Sequence, residues 1–92
     1  MNNDYTVDYT TETITKDSII ESKDCSGIYF ESKIDNSGSV MFTINTDIPV
    51  YYGQGRGFEN KPNVTIKQSF NIHFIDPAKA SLLVVRTFYK RK

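Results

Sequence analysis

Residues 64–74 read VTIKQSFNIHF, and this stretch decides the fold class. Val64, Ile66, Phe70, Ile72 and Phe74 fall on one side of a period of two, with Thr65, Lys67, Ser69, Asn71 and His73 on the other. Successive side chains of a strand point to opposite faces, so the alternation specifies a strand with one buried face and one wet face. Downstream, Asp76-Pro77-Ala78-Lys79 supplies a turn and Leu82 to Tyr89 a final strand, expected to pair with residues 64–74 as a hairpin. Leu82-Leu83-Val84-Val85 is apolar on both faces, which places that strand in the middle of the core.

Upstream, Gly53 to Pro62 (GQGRGFENKP) reads as a mobile loop. Ile48-Pro49-Val50-Tyr51-Tyr52 before it is a short strand. Pro49 has no N–H to give a ladder, so this strand belongs at an edge or at the entry to a sheet. Ile28, Phe30 and Ile34 alternate with Tyr29, Glu31 and Lys33. Asp35-Asn36-Ser37-Gly38 collects turn residues, and Val40, Phe42 and Ile44 return on one face, the pattern of a second hairpin. Tyr5 to Thr15 alternates as a half-buried strand. Ser18 to Lys23 reads as a strand or a single turn, because Ser18 and Glu21 suit a capping box but no apolar stripe at helical spacing follows. The pattern as a whole is all-β: a small antiparallel β-sandwich or barrel of six to seven short strands. It forms one domain over residues 1–92, with residues 1–4 and 90–92 as flexible ends.

Composition agrees. Leu82 and Leu83 are the only leucines, whereas Ile, Val, Thr and six each of Phe and Tyr are plentiful. Such residues fit a pleated, half-buried surface and supply the apolar area that disordered chains lack. The longest apolar run, Leu82 to Val85, is far short of the roughly 20 residues that span a bilayer as a helix. The opening Met1-Asn2-Asn3-Asp4 lacks the basic and then apolar runs of a secretory signal, so the expected location is cytoplasmic. Net charge is zero but unevenly placed: residues 1–35 carry −5 and residues 36–92 carry +5. Acidic strands pairing with basic ones across a sheet account for such a split.

Chemistry-bearing constellations are sparse. His73 is the one histidine, mid-strand on the polar face, and Cys25 the one cysteine, in a turn-like setting without local cations to lower its pKa. Neither has an orienting third group that the sequence identifies, the carboxylates are scattered, and no metal-ligand spacing occurs. The expectation is a protein that is not an enzyme and needs no cofactor and no metal. Gly53, Gly55 and Gly57 lack the spacing and the following helix of nucleotide-binding loops, and Glu59-Asn60-Lys61-Pro62 breaks an RNA-recognition reading of Arg56-Gly57-Phe58.

Two functions fit these residues. The first is a non-catalytic protein-binding module, such as an inhibitor, adaptor or assembly subunit, of a type common in viruses and mobile elements. It would use the glycine-rich loop, with Tyr52, Gln54, Arg56, Phe58 and Lys61 as contacts, or an edge strand, which would also serve homo-oligomers. The alternative is a single-stranded nucleic-acid-binding β-barrel using the basic, aromatic second half. It would add Tyr51, Lys67, Arg86, Lys90, Arg91 and Lys92.

Overall fold

The computed structural model describes residues 5–62 and 64–91. Eight strands form: β1 (Tyr5–Ile14), β2 (Ser18–Ile20), β3 (Gly27–Glu31), β4 (Val40–Ile44), β5 (Ile48–Tyr51), β6 (Gly55–Glu59), β7 (Phe70–Phe74) and β8 (Leu82–Arg91), with one 3₁₀ turn at Pro77–Lys79. They make a β-sandwich of two four-stranded sheets, ordered β1-β8-β3-β6 and β2-β7-β4-β5. All pairings are antiparallel. No helix among the described residues is long and apolar enough to cross a membrane.

Phe30, Phe42, Ile44, Phe70, Phe74, Leu82 and Val84 fill the space between the sheets. Rings from both layers interlock there: Phe70 of β7 lies 5.3 Å from Phe30 of β3 and 5.0 Å from Phe58 of β6, centroid to centroid. The internal place of β8, flanked by β1 and β3, follows the doubly apolar Leu82–Val85 run, and β5 with Pro49 lies at an edge. Part of the charge split is cancelled across one seam. Glu12 of β1 meets Arg86 of β8 at 2.6 Å, and Asp8 meets Lys90 at 3.1 Å.

Both expected hairpins are absent. β3 and β4 lie in opposite sheets, as do β7 and β8. Alternation states only that a strand has one buried face, and a partner across the core satisfies that as well as a partner alongside. Residues 32–39 are long enough to cross the roughly 10 Å between sheets. Ser32 anchors the start of the crossing, its Oγ donating toward Tyr51 O at 3.0 Å and Gln54 O at 2.6 Å.

Two more expectations change. Residues 55–59, read as part of a mobile loop, form edge strand β6. Gly55 is needed there because Tyr29 of β3 occupies its outer side, where a Cβ would overlap the Tyr29 hydroxyl, and Gly57 lies closely under the same ring. The tyrosine supplies the cover that the glycines lack. In the 64–74 stretch only Phe70–Phe74 is strand. Ile66 is buried but bonds to the 22–25 turn, its N–H donating to Cys25 O at 2.8 Å and its carbonyl accepting from Ser22 Oγ at 2.7 Å. Lys90 and Arg91, expected as part of a flexible end, complete β8 opposite Thr6 and Tyr5. Residues 1–4 and Lys92 lie outside the described residues.

Candidate partner-binding edge

The residues singled out in the sequence do not converge. Tyr51, Tyr52, Gln54, Arg56 and Phe58 follow the chain from edge strand β5 of one sheet to edge strand β6 of the other. Phe58 is half-buried against the core, and the exposed Arg56 guanidinium lies 5.5 Å from its ring centroid. Tyr52 also packs on the core, with Lys79 Nζ 6.0 Å from its ring, while Gln54, Lys61 and Lys67 are exposed. Lys90 and Arg91 sit at the far end of β8, on the other side of that sheet's β3 strand, with the Arg91 guanidinium 5.8 Å from the Tyr5 ring.

Arg86 leaves the candidate set, since it is only 3% exposed. It donates from Nη1 to Glu12 and from Nε and Nη2 to the Glu21 carbonyl, at 2.6, 2.9 and 2.6 Å. The run Leu82-Leu83-Val84-Val85 signals that position 86 continues a buried strand, but local sequence does not reveal which partners would hold a charge there.

His73 and Cys25 are separately engaged. His73 Nδ1 lies 2.6 Å from Asp17 Oδ2, and Asp17 Oδ1 accepts from the Phe74 N–H at 2.9 Å. That backbone bond first, and then His73, hold the Asp17 carboxyl below its ordinary value. Cys25 is fully buried, and burial pushes its thiol up, with the Arg86 charge pulling the other way. A shallow depression of about 280 Å³ lies over Gly27 and Gly57 on the outer face, bordered by Tyr29, Glu59 and Thr87.

Sequence reading found the strand at residues 5–15 but not its place at the edge of a sheet, as β1. This strand is ten residues long and, among the described residues, pairs on one side only, with β8, in unbroken register from Tyr5↔Arg91 to Ile14↔Leu82. β3 covers β8 only over Leu83–Thr87, so residues 5–8 and 88–91 run on as a two-stranded arm.

Hydrogen bonds elsewhere in the sheet fix which groups of β1 are free. Ser32 N–H donates to Gln54 O, and Asn60 N–H donates to Ser26 O, so the even-numbered residues within β3, Ile28 and Phe30, turn toward β6, while the Ser26 N–H just before the strand donates to Thr87 O of β8. In an antiparallel ladder alternate residues bond to opposite neighbours. Odd residues of β3 therefore bond odd residues of β8, even residues of β8 bond even residues of β1, and the odd residues of β1 are left over. Tyr5, Val7, Tyr9, Thr11 and Thr13 thus aim N–H and C=O away from the sheet.

Edge strands are ordinarily blunted by shortness, proline, lysine, a bulge, inward-pointing charges or a covering segment, and of these β1 has only the charges, Asp8 and Glu12. β2 has three residues, and β5 has four, including Pro49. β6 has five, two of them glycines under Tyr29. β1 carries no proline and no lysine, has no register shift, and exposes Val7 to 41% and Tyr9 to 66%. The sequence signal was the run 5–14, free of Pro, Gly and Lys, but alternation does not tell an edge strand from an internal one. Comparison with known protein families, curated proteins and solved structures returned no match.

Proposed function

We propose that this protein is a non-catalytic binding module, an adaptor, inhibitor or assembly subunit working in the cytoplasm, that captures an extended segment of a partner protein along β1. The observation that carries the reading is the ten-residue edge, free of proline, lysine and register shifts, with alternate N–H and C=O groups open to a new strand. Strand addition draws affinity from main-chain hydrogen bonds and selectivity from alternate side chains, and β1 supplies both elements. The nucleic-acid alternative has less behind it, because Arg86 is buried and the other candidate cations are divided among β6 (Arg56), the segment that follows it (Lys61, Lys67) and the end of β8 (Lys90, Arg91).

Proline scanning tests the reading directly. The Thr11 N–H faces the free edge, so Thr11→Pro keeps every β1–β8 bond while placing ring carbons where an incoming strand must lie. Peptides selected by display on the immobilised protein should lose at least about tenfold in affinity for Thr11→Pro, the equivalent of one or two main-chain bonds. They should bind the Arg56→Ala variant unchanged, since Arg56 is exposed on β6. The opposite pattern would return the site to the β5–β6 corner.

A further inference from the structure

We infer that the segment captured by β1 is basic, with Lys or Arg at two positions four residues apart on one face and uncharged β-branched or aromatic residues on the other. This inference rests on the strand-addition reading and goes on to specify the partner's chemistry.

The free groups of β1 are those of an extended backbone, so what completes them is another extended backbone. The side chains then set its character. The outer row of β1 is Tyr5, Val7, Tyr9, Thr11 and Thr13, all uncharged. The inner row is Thr6, Asp8, Thr10, Glu12 and Ile14. Asp8 and Glu12 are therefore the only charges on the strand, they share a face, and they stand four residues apart, about 13 Å along it.

Each acid is bonded from the β8 side, Asp8 through Oδ2 to Lys90 and Glu12 through Oε1 to Arg86. Asp8 Oδ1 and Glu12 Oε2 receive no donor among the described residues, and a carboxylate accepts at both oxygens. Both side chains retain exposure, 55% and 37%. A strand added to β1 has the side chains of β1 as direct neighbours, about 5 Å away, and those of β8 one strand further, about 10 Å away. The incoming strand therefore meets the acid end of each pair first, with Arg86 and Lys90 held 2.6 and 3.1 Å behind the carboxylates, so the attraction is that of two oriented ion pairs and acts only at short range. Because the spacing is the same read in either direction, a Lys-x-x-x-Lys pattern suits parallel and antiparallel addition alike.

A second copy of this chain is a poorer occupant. Its β1 would bring two more acids and no base into the same seam, and like charges on facing strands are destabilising.

Three peptides on one alternating Thr/Val frame, with guest pairs Lys/Lys, Gln/Gln or Glu/Glu four residues apart, test the inference by fluorescence anisotropy against the whole chain. The expected order is Lys above Gln above Glu, with about fivefold per step from two cross-strand charge pairs. Asp8→Asn should reduce the Lys preference, and added salt should compress all three toward one value. Equal binding of the Lys and Glu peptides, with all binding lost in Thr11→Pro, would overturn the charge inference and leave strand addition standing. Failure of all three to bind would overturn both. Concentration-dependent dimers in sedimentation that Thr11→Pro abolishes would assign the edge to a second copy and overturn the inference.

Discussion

Glu12 and Arg86 form an ion pair whose halves sit in different surroundings, and the difference sets the sign of a mutational asymmetry. The Arg86 side chain is 4% exposed and the Glu12 side chain 37%. Glu12→Met removes the one anion bonded to the guanidinium among the described residues, leaving a buried cation against a single backbone carbonyl, that of Glu21. Breaking a buried pair in this way costs about 3–5 kcal/mol, and partial access of water to Nη1 puts the value near the lower end, about 3 kcal/mol. Arg86→Met keeps the packing of the stem, returns the carboxylate to water and abolishes the desolvation of the guanidinium. What it loses are the bonds to Glu21 O, for a net cost of about 1 kcal/mol. Urea unfolding of a domain this size has a slope of about 1 kcal/mol/M, so the midpoint should fall by about 3 M for Glu12→Met and about 1 M for Arg86→Met. The double variant should resemble Arg86→Met alone, because without the cation the carboxylate has no buried partner to neutralise. Equal losses from the two single variants would refute the reasoning, since they would mean that the guanidinium is not desolvated.

Backbone direction in β1 gives a second contrast. Thr10→Pro deletes an N–H that bonds to β8 and should lower Tm by about 10 °C, whereas Thr11→Pro should lower it by less than half as much. Gly55→Ala drives the Tyr29 ring off β6 and should cost about 1 kcal/mol, a loss that Tyr29→Ala in the same chain relieves. Near-ultraviolet circular dichroism would report the displaced ring. The Asp17 carboxyl has its folded pKa lowered by the Phe74 N–H and then by His73. Its stabilising effect is therefore present above the ordinary aspartate pKa and is lost as pH falls through the folded value. Wild type minus Asp17→Asn stability should shrink as pH falls below about pH 4.

Much of the fold was legible because period-two alternation is dictated locally. Phe70, Ile72 and Phe74 had to share a face, Leu82–Val85 had to be internal, and Pro49 had to be at an edge or at the entry to a sheet; the first two hold, and the strand of Pro49 is an edge. Pairing was not legible. Ile28 and Phe30 show the same alternation whether Val40 and Phe42 lie beside them or across the core, so the two hairpins were expected where the chain changes sheets. β6 was hidden for a different reason: Gly55 and Gly57 read as loop residues, and the side chain that makes them strand residues, Tyr29, lies far off in sequence. The same limit applied to the candidate site. Arg56 and Phe58 stood out by residue type, yet Phe58 is half-buried against the core. The ten residues of β1 became a candidate only when the sheet order left one side of them unpaired.

The central claim, that β1 offers an open edge, is tested most directly by residue-resolved amide hydrogen exchange across Tyr5–Ile14. The free protein should show alternation, with slow exchange at Thr6, Asp8, Thr10 and Glu12 and fast exchange at Val7, Tyr9, Thr11 and Thr13. The Lys/Lys peptide should then slow the second set. Protection of Tyr9 and Thr11 in the free protein, or their continued fast exchange in the complex, would contradict the account.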